Sequence, residues 1–295
     1  MALPRPMNGR LAGVALQLTA LAVFVCMDTM LKLLTARFAV PQLMWARFFF
    51  GLLAATLFFL LLRGRLPWRS RAPWLQAARS LLLAASNLLF SSALAHLPLT
   101  DCTAIGFASP LFTVALAAFW LRESVGPRRW IGVGIGFLGV LIALRPPFLT
   151  GGAPMHWAAI LPLGTAATFA IYQILTRRLA TIDDPRTTIL HTGLAASLAT
   201  SLALPLVWTP PAAGDWALLV ALGLLGGIGH GLLVLAYARA PASLLAPMSY
   251  TQLIWASLSA LLVFGEPPDP ITLLGAAVIA LGGVLVALPD HRRPG

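Results

Sequence analysis

The chain has 295 residues, 59% of them hydrophobic and only 10% charged, with a mean hydropathy of +0.87. Soluble domains run at about 45–50% apolar and about 25% charged, so 20 basic and 9 acidic side chains leave too little charge to cover a soluble particle. The surplus apolar surface must face lipid, which excludes a cytosolic enzyme, a secreted domain and, despite a net charge of +11, a nucleic-acid binder.

A helix crossing the hydrocarbon core needs about 20 apolar residues. The runs between charge, proline and glycine predict ten spans, over residues 11–34, 42–62, 74–95, 99–121, 129–146, 155–178, 187–207, 215–237, 242–264 and 270–288. The first follows Arg5 and Arg10 but is too long for a signal-peptide core, and is expected to be retained. Apart from residues 63–73 the connections are short, so consecutive helices are expected to be antiparallel neighbours. With the N-terminus inside, 15 basic residues fall in inner segments and 3 (Lys32, Arg37, Arg145) in outer ones. That bias predicts both termini in the cytoplasm, and a bacterial inner membrane is the expected location. Cys26 and Cys102 both lie in apolar runs without metal-ligand spacing, so neither a disulfide framework nor a metal is expected.

The sequence repeats itself at a shift of 143. Pro98 falls on Pro241, Glu123 on Glu266, Gly132 on Gly275 and Gly139 on Gly282. Each half holds five predicted spans, an odd number, so the copies should lie upside down relative to each other. The charges agree, since the loop after span two carries four Arg and its counterpart after span seven none. The expected fold class is therefore an all-α integral membrane protein of ten helices in two inverted repeats, residues 1–148 and 149–295. Inverted repeats are a transporter architecture with the solute site near the midplane.

Two five-helix repeats, each ending in Glu, a short loop and a Gly-rich helix, resemble the EamA type of the drug/metabolite transporter superfamily. The paired stretches Pro110 to Leu144 and Leu253 to Ala287 carry the likeness most specifically. Within the family the chain looks most like exporters of aromatic amino acids. It departs where members often place Trp-Gly ahead of a basic residue: here Phe24-Val25 precede Lys32, and Phe169-Ala170 precede Arg177. The resemblance implies a carrier of small organic solutes working by alternating access, without a cofactor, whose partners are its solute and the bilayer. Efflux of cationic amphiphiles is the alternative within transport. An intramembrane enzyme is the remote one, because no catalytic constellation and no phosphate-binding loop occur. The sequence leaves the oligomeric state open.

Polar groups within spans are costly and call for a reason. Asp28 and Lys32 stand at i and i+4 and are expected either to pair with each other or to gate the outer mouth. Arg47 and Arg79 are expected to reach the nearer interface. Asn87 and His230 coincide under the shift, as cavity residues of a two-fold carrier would. Eight Trp fall at predicted span ends, as an interfacial belt requires, but Trp255 falls inside span nine. Tyr250, Gln252 and Trp255 have repeat partners Phe107, Ser109 and Phe112 in span four, and Pro247 and Pro110 interrupt the two helices. Aromatic walls and polar handles on two broken spans suggest a shared cavity, to which Tyr172 in span six is added. Gly223, Gly227 and Gly231, like Gly132 and Gly136, form small-residue stripes expected to be packing surfaces.

Overall fold

The computed structural model describes residues 7–64, 66–120, 126–144, 156–179, 182–239 and 246–287. The backbone is helical almost throughout. Helices α1 (Met7–Leu34), α2 (Val40–Arg63) and α3 (Pro73–Leu94) are long and unbroken, and α4 (Leu99–Gly106) is followed by α5 (Ser109–Trp120) and α6 (Pro127–Leu144). In the second half α7 (Ile160–Leu179) follows a 3₁₀ turn at Trp157–Ala159, and α8 (Pro185–Ser201) leads into the short α9 (Leu204–Val207). Next come α10 (Ala213–Arg239), α11 (Gln252–Phe264) after a 3₁₀ turn at Ala246–Thr251, and α12 (Pro270–Ala287).

Local chemistry sets these limits. α2 and α3 start with proline in their first turns, where a missing N–H costs no helix bond. Asp184 caps α8 by accepting from the Arg186 backbone N–H. α2 stops at Gly64 and α11 at Gly265, with φ of 63° and 66°, a left-handed turn that glycine enters without strain. Pro110 has no N–H for the Gly106 carbonyl, and the fourth predicted span accordingly breaks at Phe107–Ala108. The ninth breaks in the matching place, with a 3₁₀ turn over the Tyr250 region.

Among the described residues, six segments are long and apolar enough to cross a membrane: Leu11–Leu34, Val40–Leu61, Pro73–Leu94, Leu99–Leu116, Trp157–Thr176 and Ala213–Leu233. Trp130–Ala143, Met248–Phe264 and Pro270–Leu285 are shorter apolar helices. Exposed Leu61, Leu206, Leu262 and Trp74 point outward from the bundle, as lipid-facing side chains do.

Helix pairing has a two-fold pattern. α6 packs along α12, α1 along α10, and α3 along α7, while α2 meets both α8 and α10 and α3 also meets α8. Exchanging the halves by the 143-residue shift turns α1–α10 into α7–α3 and α2–α10 into α8–α3. The α6–α12 contact shows it at atomic detail. A Cβ on Gly139 would lie 2.7 Å from the Gly275 carbonyl, and one on Gly282 would lie 2.5 Å from the Gly132 carbonyl. These two contacts are images of each other, so backbone meets backbone where the repeats join. The stripe on α10 behaves differently. Gly223 lies against Phe50 and Gly51 of α2, but Gly227 and Gly231 face open space, because only the first lies on the arc turned toward α2.

The largest apolar core lies at one end of the bundle, where α1 and α3 finish and α2, α4 and α10 begin. Met27, Leu31, Leu43, Met44, Leu94, Leu99, Leu219 and Leu222 are all essentially inaccessible there. Polar ties close the same end. Gln42 exchanges two hydrogen bonds with the Thr209 backbone, and Arg37 meets Asp215 at 2.8 Å.

Candidate functional site

The interior is not uniformly apolar. Asp28 on α1 and Arg47 on α2 are both more than nine-tenths buried and interact electrostatically. Arg47 lies beside Gly226 of α10, which leaves room for its guanidinium, and the Phe48 ring centroid is 5.8 Å from that guanidinium. Among the described residues, the Asp28 carboxylate accepts no hydrogen bond from protein and the Arg47 guanidinium donates none. Five N–H donors and a carboxylate are thus held in the membrane interior, oriented chiefly by mutual attraction. His230 on α10 lies edge-on to Phe24 of α1, with ring centroids 5.0 Å apart, and Arg47 and Arg79 are both within electrostatic range of it. His230 is nonetheless exposed. An exposed imidazole among buried charges marks a space between helices.

Arg79 on α3 closes the other side of this space. Its Nε donates to Thr176 at 2.6 Å and its two Nη atoms to Thr192 and Tyr172, at 2.6 and 2.7 Å. The guanidinium lies 4.5 Å from the centroid of the Tyr172 ring, which stacks on Phe169. Arg79 therefore joins the first half to α7 and α8 of the second, and it does not reach for the membrane surface as its position near the start of span three suggests. The hydroxyls of two spans outcompete the interface for its donors. Arg47 likewise stays inside, drawn by Asp28.

The paired residues of the broken helices divide. Phe107 and Tyr250, exact repeat partners, meet at 5.2 Å in a T-shaped contact, and the Tyr250 hydroxyl occupies the space left by the missing side chain of Gly283. Ser109 is buried and accepts from Gln173 of α7 at 3.4 Å. Phe112 packs with Phe107 against Leu111, Val140 and Ile279, as core. Asn87 is half-buried and its amide donates to Leu83 of its own helix, apart from His230. Gln252 starts α11 and is half-buried.

Trp255 departs from the expectation. It is 41% exposed and lines an open apolar groove with Cys26, Thr29 and Leu33 of α1 and Leu262 of α11. Those α1 residues lie about half a turn from Phe24, on the opposite face of the helix. The spacing of three from Gln252 placed Trp255 on one face of α11, but which way that face turns is decided by helix packing. The expected Asp28–Lys32 pair does not form either. Lys32 Nζ lies 2.7 and 3.0 Å from the two carboxylate oxygens of Glu266 and 4.5 Å from the Phe264 ring centroid. A partner just past the end of α11 wins because both oxygens converge on one ammonium there. Glu123, the repeat partner of Glu266, and the side chain of Trp120 lie outside the described residues.

Sequence reasoning passed over Phe24, Thr176 and Thr192 as site residues. Two threonines, one a turn before the end of α7 and the other two turns into α8, opposite an unpaired arginine, were the available signal.

A polytopic membrane protein with two alike halves and a polar interior between them belongs to the class of small-solute carriers. The model of the EamA-like transporter family matches twice, over residues 11–145 and 156–288, and the chain belongs to that family. It is 32% identical over 203 residues, 68% of this chain and 67% of the other, to a riboflavin transporter of Vibrio cholerae. An S-adenosylmethionine uptake transporter of Rickettsia felis is 26% identical over 269 residues, 91% of this chain and 90% of its own. One of Rickettsia bellii is 30% identical over 186 residues, 63% and 62% of the two chains. A solved crystal structure aligns with a TM-score of 0.64 at 21% identity, covering 96% of this chain and all of the other, which supports the fold.

Proposed function

We propose that the chain is a ten-span carrier in a bacterial inner membrane, with both termini cytoplasmic and halves 1–148 and 149–295 inverted, that moves a small organic solute bearing a planar aromatic ring. Alternating access would rock the halves around the space bounded by Phe24, Asp28, Arg47, Arg79, Tyr172 and His230. The observation that carries the reading is that set of polar groups, with Asp28 and Arg47 lacking protein hydrogen bonds among the described residues and Arg79 keeping two unused N–H groups, held at membrane depth beside aromatic rings. An empty apolar interior would favour none of them, so a solute or water must complete their hydrogen bonds. Phe24 and the Phe169–Tyr172 stack supply ring faces to a flat solute.

Riboflavin, S-adenosylmethionine and the aromatic amino acids suggested by family resemblance share a planar unsaturated ring. That common feature is the specificity proposed here. Export of amino acids is one form of it. The relatives named for uptake favour a carrier whose direction follows the solute gradient. Two guanidinium groups against one carboxylate disfavour the efflux of cationic amphiphiles.

Counterflow in proteoliposomes tests the proposal. Vesicles loaded in turn with tryptophan, riboflavin, S-adenosylmethionine or leucine should accumulate the matching labelled solute for at least one ring-bearing member, chemically unaltered, and not for leucine. Leucine moving as fast as the best ring-bearing solute would defeat the ring preference.

A further inference from the structure

We propose that Arg79 and Tyr172 form an oxyanion-binding station, so that the transported solute carries a carboxylate or phosphate as well as its ring. This rests on the carrier reading above and names the charge of what that site takes.

Count the hydrogen bonds around Arg79. Thr176 donates its own proton to the Tyr172 carbonyl at 2.7 Å and Thr192 donates to the Thr188 carbonyl at 2.6 Å. Both hydroxyl oxygens therefore act only as acceptors toward the guanidinium. Tyr172 accepts from Nη2, and among the described residues its own phenolic proton has no acceptor. The guanidinium has five N–H groups, of which three are used. Two guanidinium N–H groups and one O–H are left side by side, all donors, around a full positive charge.

No carboxylate of the described residues compensates that charge. Asp28 sits with Arg47. Asp183, beyond the start of α3, is taken by Ser70, the Arg71 backbone and Gln76. Arg79 itself is 5% exposed. A guanidinium held at membrane depth by neutral hydroxyls alone is a poor structural device, since hydroxyls solvate a cation less well than water does. It is a good receptor, because an arriving oxyanion meets donors already fixed by two helices and supplies the missing charge. The station also spans the halves, with Arg79 from the first and Tyr172 from the second, so a bound anion draws α3 and α7 together.

The test uses two solute pairs that differ in the anionic group: tryptophan against tryptamine for carboxylate, and flavin mononucleotide against riboflavin for phosphate. Affinities are read with the purified full chain in nanodiscs, by flavin quenching and by thermal shift. The anionic member of at least one pair should bind about tenfold tighter, as a single charge-assisted hydrogen-bond pair implies. That gap should shrink below about threefold in Tyr172→Phe, which keeps the ring and removes only the hydroxyl. Arg79→Gln should abolish it. Because Arg79→Gln also removes a helix tie and can impair folding, Tyr172→Phe is the deciding variant. Which pair shows the gap distinguishes carboxylate from phosphate. Equal binding within both pairs, or a gap unchanged in Tyr172→Phe, overturns the station and leaves the carrier standing. Absence of binding by all four, joined to absence of counterflow, overturns both.

Discussion

Lys32 and Glu266 link the end of α1 to the loop between α11 and α12, and their coupling can be sized from the geometry. The ammonium touches both carboxylate oxygens, at 3.0 and 2.7 Å, with the Phe264 ring on its other side. Exposed ion pairs contribute about 0.2–1 kcal/mol, and hydrogen bonds to charged groups in protected sites about 1.5–3 kcal/mol. With the Lys32 side chain 12% exposed and that of Glu266 38% exposed, solvent screening keeps the pair at the lower boundary, about 1 kcal/mol. A double-mutant cycle with Lys32→Met and Glu266→Gln, read by unfolding in mixed micelles of rising dodecyl sulfate content, should return that coupling. The parallel cycle with Lys32→Met and Asp28→Asn should return no more than the ~0.5 kcal/mol of an i, i+4 helix pair. If the Asp28 cycle gives the larger coupling, the placement of Lys32 on Glu266 is wrong, and the simple helical-spacing argument was right.

Other outcomes follow from single contacts. Gly282→Ala would put a Cβ 2.5 Å from the Gly132 carbonyl and from the Gly136 nitrogen, so it should lower expression and thermal stability sharply, by about 3 kcal/mol or more, whereas Gly227→Ala, with nothing within 4 Å, should be neutral or slightly stabilising by the same assays. Trp255→Leu should leave the ratio of aromatic to aliphatic transport unchanged, while Phe24→Leu should lower aromatic uptake about 3- to 10-fold, measured side by side in proteoliposomes. Partial burial alone would raise the Asp183 carboxyl, but the Ser70 hydroxyl, the Arg71 N–H and Gln76 hold it below the ordinary carboxylate range. Its stabilisation is therefore complete above about pH 4 and lost as pH falls through its lower folded value. Acid titration of unfolding should show Asp183→Asn losing less stability over that window than the parent chain.

Much of the architecture was legible because it follows from patterns of single residues. Lipid exposure follows from counting charges, and repeat from the matched Gly132, Gly139, Gly275 and Gly282, which the packed α6–α12 contact explains. The two broken helices were legible at Pro110 and Pro247 for the same reason, since proline removes a donor wherever it stands. The candidate site was legible only in part. His230 and Tyr172 were singled out as polar or aromatic groups inside spans; the first lies against Phe24 and the second against Arg79. The errors share one cause: helical spacing says which residues share a face, and nothing in it says which way the face turns. Trp255 shares a face with Gln252 and turns outward. Lys32 shares one with Asp28 and pairs across to Glu266. Arg79 is near a span end and turns inward, because Thr176 and Thr192 on neighbouring helices offer acceptors there.

The central claim is that this chain moves an unaltered, ring-bearing solute through the space between its halves. Counterflow with the purified chain in liposomes tests it most directly, using the best solute of the panel in wild type and in Phe24→Leu. The account predicts accumulation of chemically intact label in wild type and a loss of about 3- to 10-fold in the variant. Equal accumulation in protein-free vesicles, or recovery of the label as a different compound, would contradict it.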